Sequence, residues 1–162
     1  MRVIMRWIVR LATGIACAGV MMLAIIVCYE VFTRYVLGRP TIWVGEISSY
    51  MVIWVGLFSV VVALAEEKHI RVDLIFVHFS PKVQAGLNIF TALLMLALAG
   101  IILWNGWIYF WEAYSRGWEH YGMLYLPMSY TRIAIPLVGL ILCAQIILKI
   151  YDYIRAFRGK VS

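Results

Sequence analysis

VQAGLNIFTALLMLALAGIILWNGWIYFW, the stretch at residues 83–111, decides the fold because none of its 29 residues carries a charge. A bilayer core about 30 Å thick is crossed by roughly 20 helical residues. Three further charge-free windows hold 19, 19 and 16 residues and cover residues 11–29, 47–65 and 133–148. The last window is long enough if Arg132 and Lys149 extend their aliphatic stems through the apolar zone. The sequence therefore predicts four membrane-spanning helices.

The composition excludes an ordinary soluble domain. Hydrophobic residues make up 65% and charged residues 14% of the chain, against roughly 45–50% and 25% in soluble proteins. A backbone in lipid must satisfy its own hydrogen bonds, and no segment shows the alternating pattern of a membrane barrel. We therefore predict an all-α integral membrane protein, a single domain over residues 1–162. Its predicted helices cover approximately residues 8–33, 43–66, 81–112 and 130–152.

The distribution of basic residues predicts the orientation. If both termini are cytoplasmic, ten of the fourteen Lys and Arg residues lie on the inner side, which is the usual bias of membrane proteins. Residues 67–80 then form an inner loop, and residues 34–42 and 113–129 form outer loops. The net charge of +6 is concentrated at span ends rather than along one face, so no nucleic-acid partner is predicted.

The inner loop mixes both signs of charge before it turns apolar. This pattern is typical of a short helix or turn that lies in the membrane interface. Its acidic residues and histidine could bind a metal or pair with the neighbouring cations, and the mixture favours pairing. The groups concerned are Glu66, Glu67, Lys68, His69, Arg71 and Asp73.

Several catalytic and transport chemistries lack their residues. No G-x-x-x-x-G-K-[ST] phosphate loop occurs, and no histidine lies inside a charge-free window to bind a membrane haem. No Asp, Glu, Lys, Arg or His lies near a bilayer midplane, where ion-coupled carriers usually hold an ionisable group. The sequence predicts neither an enzyme nor a resident cofactor.

Charged residues at the outer borders of the first two helices form one candidate cluster. Glu30 and Arg34 are four residues apart, a spacing that places both on one helix face. Arg34 also lies across a short connection from Glu46. These groups either form an ion pair or are separately solvated in the headgroup layer.

Aromatic residues mark two candidate surfaces. A stripe along the second helix recurs at helical spacing and consists of Trp43, Glu46, Tyr50 and Trp54. It serves either packing within the bundle or contact with another protein. Ten aromatic residues between Trp104 and Tyr130 form either an interfacial belt or a docking surface for an external partner.

An ordered series of motifs resembles a known family. The series is Arg34-Tyr35, Trp43-x-x-Glu46 and His69-Ile70-x-Val72-Asp73. It resembles the signature of the small membrane subunit, the DctQ-like small permease, of tripartite ATP-independent periplasmic (TRAP) transporters. The resemblance covers residues 8–152, and it departs from the family pattern at the charged approach Glu66-Glu67-Lys68.

The resemblance implies a scaffold role in the inner membrane of a bacterium. In this family a large, DctM-like membrane subunit holds the substrate and sodium sites in a moving elevator domain. A periplasmic binding protein delivers an organic acid. Sodium is therefore expected to bind the partner subunit, and membrane lipid is a further expected contact. Small residues that could let helices approach closely are Gly14, Ala18, Ala97 and Gly100.

The resemblance also implies roles for individual residues. An outer-edge ion pair that fixes the first helix against the second is expected from Arg34 and Glu46, with Glu30 beside them. Contact with the large subunit is expected from Trp43, Tyr50 and Trp54. The inner-loop motif consists of His69, Arg71 and Asp73. Docking of the binding protein is expected from the charged groups of the outer side, Arg39, Arg116, Glu119 and His120.

Two other classes of membrane protein stay open at this point. A stand-alone four-helix exporter acting as a homodimer predicts an essential buried carboxylate, and this chain offers only the border residues Glu30 and Glu46. An anchor subunit of another membrane complex, such as a respiratory enzyme, would need haem or quinone ligands, which the histidine positions do not supply.

Overall fold

The computed structural model describes residues 2–65, 81–122 and 124–159, and every regular element within them is helical. The elements are α1 (Arg2–Tyr35), α2 (Ile42–Ala65), α3 (Pro81–Ser115), α4 (Ser129–Arg132) and α5 (Ala134–Gly159). Four helical stretches are long and apolar enough to cross a membrane, and they cover Met5–Tyr35, Ile42–Ala65, Gly86–Ser115 and Ser129–Arg155. The predicted four-helix membrane architecture is confirmed, while the orientation across the membrane stays a prediction. The interfacial element expected within residues 67–80 lies outside the described residues.

The fourth span consists of α4 and α5, with a break in the helical pattern at Ile133. Pro136 has no backbone N–H and deprives the carbonyl of Arg132 of its usual partner. Ile133 nevertheless keeps right-handed helical angles, with φ −63° and ψ −24°. The Leu137 amide also donates to the Ile133 carbonyl at 3.3 Å. The chain therefore continues through the break as one span.

The helices pack in the order α1, α2, α5, α3, so that α5 lies between two neighbours. The most hydrophobic window of the fourth span is 39% buried, against 11% for the spans of α1 and α3. The shared core is made of aliphatic side chains and alanines, namely Ala12, Val61, Leu64, Ala92, Ala99, Val138, Leu142 and Ile146. Helices α1 and α3 therefore expose broad apolar faces to their surroundings.

Helix α3 approaches the fourth span closely at Gly106. A Cβ atom added there would lie 2.7 Å from Ile135 Cγ2 and 3.0 Å from the Pro136 nitrogen. The small residues singled out from the sequence do not have this role: a Cβ on Gly14 or Gly100 would meet nothing within 4 Å. The other two, Ala18 and Ala97, are exposed. Which small residue faces a neighbour depends on the rotational setting of its helix, and composition does not encode that setting.

Replacing Gly106 by Ala should therefore destabilise the bundle. Overpacking of this kind costs about 1–3 kcal/mol, and here the obstructing atoms include the backbone of the next helix. Thermal unfolding of the purified chain in detergent should show a lower Tm. The matched control is Gly100→Ala on the same helix, which should leave the Tm unchanged or slightly higher. Equal Tm values for the two variants would contradict this packing contact.

Candidate functional site

The bundle has two polar ends. The loop end contains the α1–α2 connection, residues 36–41, and the connection from α3 to α4. The opposite end, called the terminal end, contains the start of α1 and the last turns of α5. The α3–α4 connection folds back on itself, and residues 116–122 and 124–128 are called the hairpin below. In the hairpin the His120 amide donates to the Leu126 carbonyl at 3.0 Å, and the Met128 amide donates to the Trp118 carbonyl at 2.8 Å.

His120 fastens the hairpin to the helices beneath it. Its ring centroid lies 5.0 Å from that of Tyr50 on α2, and its Nε2 lies 3.1 Å from the hydroxyl of the buried Thr131. The Thr131 hydroxyl donates its single proton to the Met128 carbonyl at 2.9 Å. It must then accept from His120, which requires the proton on Nε2. His120, predicted as a docking residue, therefore packs within the protein and is only half-exposed.

Glu46 makes a second link between α2 and the hairpin. Its carboxylate accepts a hydrogen bond from the Leu124 amide at 3.1 Å. Gly122 lies directly against the same carboxylate, because a Cβ atom added to this glycine would stand 2.5 Å from Glu46 Oε1. A hydrogen bond from a neutral amide to a carboxylate is stronger than one between neutral groups. The structure therefore assigns Glu46 to holding the hairpin on the bundle.

The ring of Trp118 contacts two cations. The guanidinium carbons of Arg116 and Arg132 lie 5.4 and 5.2 Å from its ring centroid. Arg132 also donates to the Tyr109 carbonyl at 3.2 Å, and Arg116 lies 3.3 Å from the Glu112 carboxylate. A cleft of about 520 Å³ borders this stack and is lined by Gly117, Trp118, Glu119, His120, Tyr121, Tyr125, Met128 and Arg132. The loop end thus displays an aromatic and cationic surface.

The ion pair at the border of α1 differs from the one expected. Arg34 contacts Glu30 at 2.6 Å, one helical turn away on α1, rather than Glu46. The other carboxylate oxygen of Glu30 accepts hydrogen bonds from the amide and hydroxyl of Thr41, just before α2 begins. The predicted Arg34–Glu46 pair is therefore replaced by a Glu30–Thr41 link. The physical reason is that Glu30 lies within reach on the same helix, whereas Glu46 is engaged by the hairpin.

The aromatic residues of the α2 stripe lie in different surroundings. Trp43 is 40% exposed and packs on Tyr29 of α1, with ring centroids 6.1 Å apart. Tyr50 packs on His120, and the half-buried Trp54 stacks on Phe58 of its own helix at 5.9 Å. Tyr50 therefore serves internal packing, while Trp43 keeps a large free surface.

The remaining predicted residues fall into two groups. Arg39, Arg116 and Glu119 are exposed at the loop end, as docking residues would need to be. The inner-loop motif of His69, Arg71 and Asp73 lies outside the described residues.

Four polar groups inside the spans use their own helices as partners, whereas the buried Ser48 hydroxyl has no partner among the described residues. The hydroxyls of Thr13, Ser59 and Thr91 each donate to the carbonyl four residues earlier, at 2.8–2.9 Å. The amide of Asn105 donates to the Ile101 carbonyl in the same way, at 2.9 Å. These four groups are therefore not arranged around a common ligand.

The sequence reading missed three residues with clear roles. Thr41 and Thr131 act as partners of Glu30 and His120, and nothing in their local sequence distinguishes them from solvated threonines. Gln145 could have been found, because an amide within the fourth charge-free window is unusual. It is buried on α5, near the terminal end.

Comparison with known proteins identifies one matching family. The family model described as Tripartite ATP-independent periplasmic transporters, DctQ component, matches residues 23–156. A search of curated proteins found no match. The matched region includes all of α2, α3 and α4, together with the Glu30 and Glu46 contacts.

Replacing Glu46 by Ala should release the hairpin without unfolding the bundle. The Leu124 amide would lose its charged acceptor, a contribution of about 1.5–3 kcal/mol. Hydrogen exchange followed by mass spectrometry should then show faster exchange at residues 118–128, with α5 unchanged. Glu112→Ala, which removes the carboxylate of an exposed pair, is the matched control and should have little effect on the hairpin. Unchanged exchange in the Glu46 variant would contradict the link.

Proposed function

Since this chain belongs to the DctQ component family of tripartite ATP-independent periplasmic transporters, we propose that it is the fixed scaffold subunit of a sodium-driven uptake system. A larger, DctM-like membrane subunit would bind the sodium ions and the substrate and would move within the membrane. A periplasmic binding protein would deliver an organic acid to the pair. The complex would reside in the inner membrane of a bacterium, with both termini of this chain in the cytoplasm.

The observation that carries this proposal is the use of polar groups within the spans. A carrier needs polar or ionisable side chains that converge on its cargo near the bilayer midplane. The charge-free windows contain no Asp, Glu, Lys, Arg or His, and the hydroxyls of Ser59 and Thr91 are bonded within their own helices. A rigid wall needs none of these groups, because it acts through shape and apolar contact. A scaffold is therefore the role that this chain can fill.

A scaffold must also offer a surface to the moving subunit. Helices α1 and α3 form the edges of the helix row and expose most of their apolar side chains. We assign the contact with the large subunit to the edge formed by α1 and the start of α2, where Trp43 lies against Tyr29. Trp54 is assigned to the same contact, whereas Tyr50 acts indirectly by supporting His120.

The loop end is the proposed docking surface for the binding protein. Arg39, Arg116 and Glu119 are exposed there, and Tyr121 and Tyr125 of the hairpin project into the surroundings. Exposed tyrosines supply a large contact area, and mixed charges select the register of a partner. His120 and Glu46 would contribute by holding the hairpin in place.

Reconstitution in liposomes tests the proposed function. The chain alone should move no solute under any ion gradient, since it lacks a site for cargo. Together with its large subunit and a loaded binding protein, it should support uptake of an organic acid that depends on an inward sodium gradient. Omission of this chain should abolish uptake while the large subunit stays folded. Transport or export by the chain alone would contradict the proposal and favour the homodimeric exporter.

Co-purification with the large subunit tests the assigned edge. Trp43→Ala should reduce recovery of the large subunit severalfold, because buried tryptophans at protein interfaces often contribute 2 kcal/mol or more, roughly a 30-fold change in affinity. The matched control is Trp104→Ala, which removes a 70% exposed tryptophan from the opposite edge of the row. The reverse pattern, with loss only for the α3 variant, would place the interface on that edge instead.

A further inference from the structure

The terminal end contains an open cleft between α1, the last residue of α2 and α5. Its volume is about 620 Å³, and its lining residues are Met5, Arg6, Val9, Arg10, Ala65, Gln145, Leu148, Lys149 and Asp152. Arg6 and Arg10 are four residues apart on α1, and Gln145 and Lys149 are four residues apart on α5, so each pair lies on one helix face. Two helices thus present polar groups toward one shared space.

The described side chains that line the cleft carry a predominantly positive charge. Among these described residues, Arg6, Arg10 and Lys149 are cations and Asp152 is the one carboxylate. The Lys149 ammonium group donates to the Leu64 carbonyl at 2.6 Å. Leu64 lies in the last turn of α2, where carbonyls lack partners within the helix. This bond ties the lysine charge to the end of α2, next to Ala65, which also lines the cleft.

Gln145 is the feature that points to a ligand. Gln145 is 4% exposed, and neither its Nε2 nor its Oε1 has a hydrogen-bond partner among the described residues. A buried polar group left unpaired is costly, and native structures contain few of them. Gln145 is one of the residues that line the cleft, and it lies one helical turn before Lys149 on α5. A ligand that both accepts and donates hydrogen bonds would satisfy it.

We propose that this cleft binds the headgroup of an anionic phospholipid that carries hydroxyl groups, such as a phosphatidylglycerol. The phosphate would lie among Arg6, Arg10 and Lys149 and accept a hydrogen bond from Gln145 Nε2. A headgroup hydroxyl would donate to Gln145 Oε1. The apolar walls formed by Met5, Val9 and Leu148 suit the glycerol backbone and the first acyl carbons. A free phosphate ion has no apolar part, and these walls therefore favour the lipid.

The position of the cleft agrees with this occupant. Its cations stand just beyond the charge-free windows of the first and fourth spans, which is the depth of lipid headgroups. Basic residues at such positions attract anionic lipids, and a site between helices adds selectivity for one headgroup. The proposal depends only on the fold and is independent of the transport role.

Native mass spectrometry of the full-length chain tests the site directly. The chain in detergent is mixed with equal amounts of phosphatidylglycerol and phosphatidylcholine, and the retained lipids are counted. The wild type should retain phosphatidylglycerol preferentially. Arg6→Gln and Arg10→Gln should each lower its retention about fivefold, as expected for one cation near an anionic headgroup. The matched control Arg155→Gln removes a cation on α5 outside the cleft and should have no such effect.

Gln145→Leu tests the amide itself, because it removes the amide with little change in volume. It also removes an unpaired buried polar group from the bundle. It should keep or raise the Tm of the lipid-free chain and lose the additional Tm increase that phosphatidylglycerol gives to the wild type. Inorganic phosphate at matched concentration should not raise the Tm of either form.

Three results would overturn the proposal. The first is equal retention of the two lipids by the wild type, and the second is an unchanged response of Gln145→Leu to phosphatidylglycerol. The third is a Tm increase with inorganic phosphate that equals the increase with the lipid, which would indicate a site for the free ion. A Gln145→Leu chain that retains phosphatidylglycerol but loses the large subunit would assign the amide to a protein contact instead.

Discussion

Inside a bilayer no water is available, so every polar group of a span needs a hydrogen-bond partner within the protein. Several polar groups in the spans of this chain meet that requirement locally: hydroxyls such as those of Thr13 and Ser59 donate to carbonyls one turn earlier on the same helix. The buried Ser48 hydroxyl and Gln145 amide are exceptions, with no partner among the described residues. Contacts between helices are then left to apolar side chains and to small residues such as Gly106.

Because of the same requirement, the charged groups and their hydrogen bonds lie at the two ends of the bundle. At the loop end, the carboxylates of Glu30 and Glu46 accept hydrogen bonds from backbone amides and a hydroxyl. These bonds fasten the connections to the helices. Carboxylates are well suited to this task, since one group accepts several hydrogen bonds. At the terminal end, cations and the buried Gln145 surround an open cleft. The connections of the loop end are thus held by internal contacts, while the Gln145 amide near the terminal end has no partner among the described residues.

The order of the helices in the row determines which surfaces are available to partners. Helix α5 is enclosed by α2 and α3, whereas α1 and α3 each have one open side. Exposed apolar faces of this width would be untenable in water but are covered in a membrane by lipid or by another subunit. In the proposed scaffold role, one edge of the row would bind the larger partner while the other would face lipid.

The hydropathy of the chain by itself determined the class of fold, since spanning length and freedom from charge are properties of one continuous segment. The motif series indicated the family by the same route, because it consists of residues in a fixed order. Which groups each charged side chain pairs with was decided only by the tertiary structure. Glu46 bonds to Leu124, 78 positions further along the chain, and Arg34 therefore pairs with Glu30.

Two glycines of α3 illustrate the same division. Gly100 and Gly106 share a helix and a residue type, yet only Gly106 faces α5 at close range. The orphan amide of Gln145 could likewise be recognised as unusual from its apolar window, but not as unpaired. Each of these features depends on how the helices are rotated and which of them are adjacent. That information resides in contacts between distant segments, which composition and local spacing do not specify.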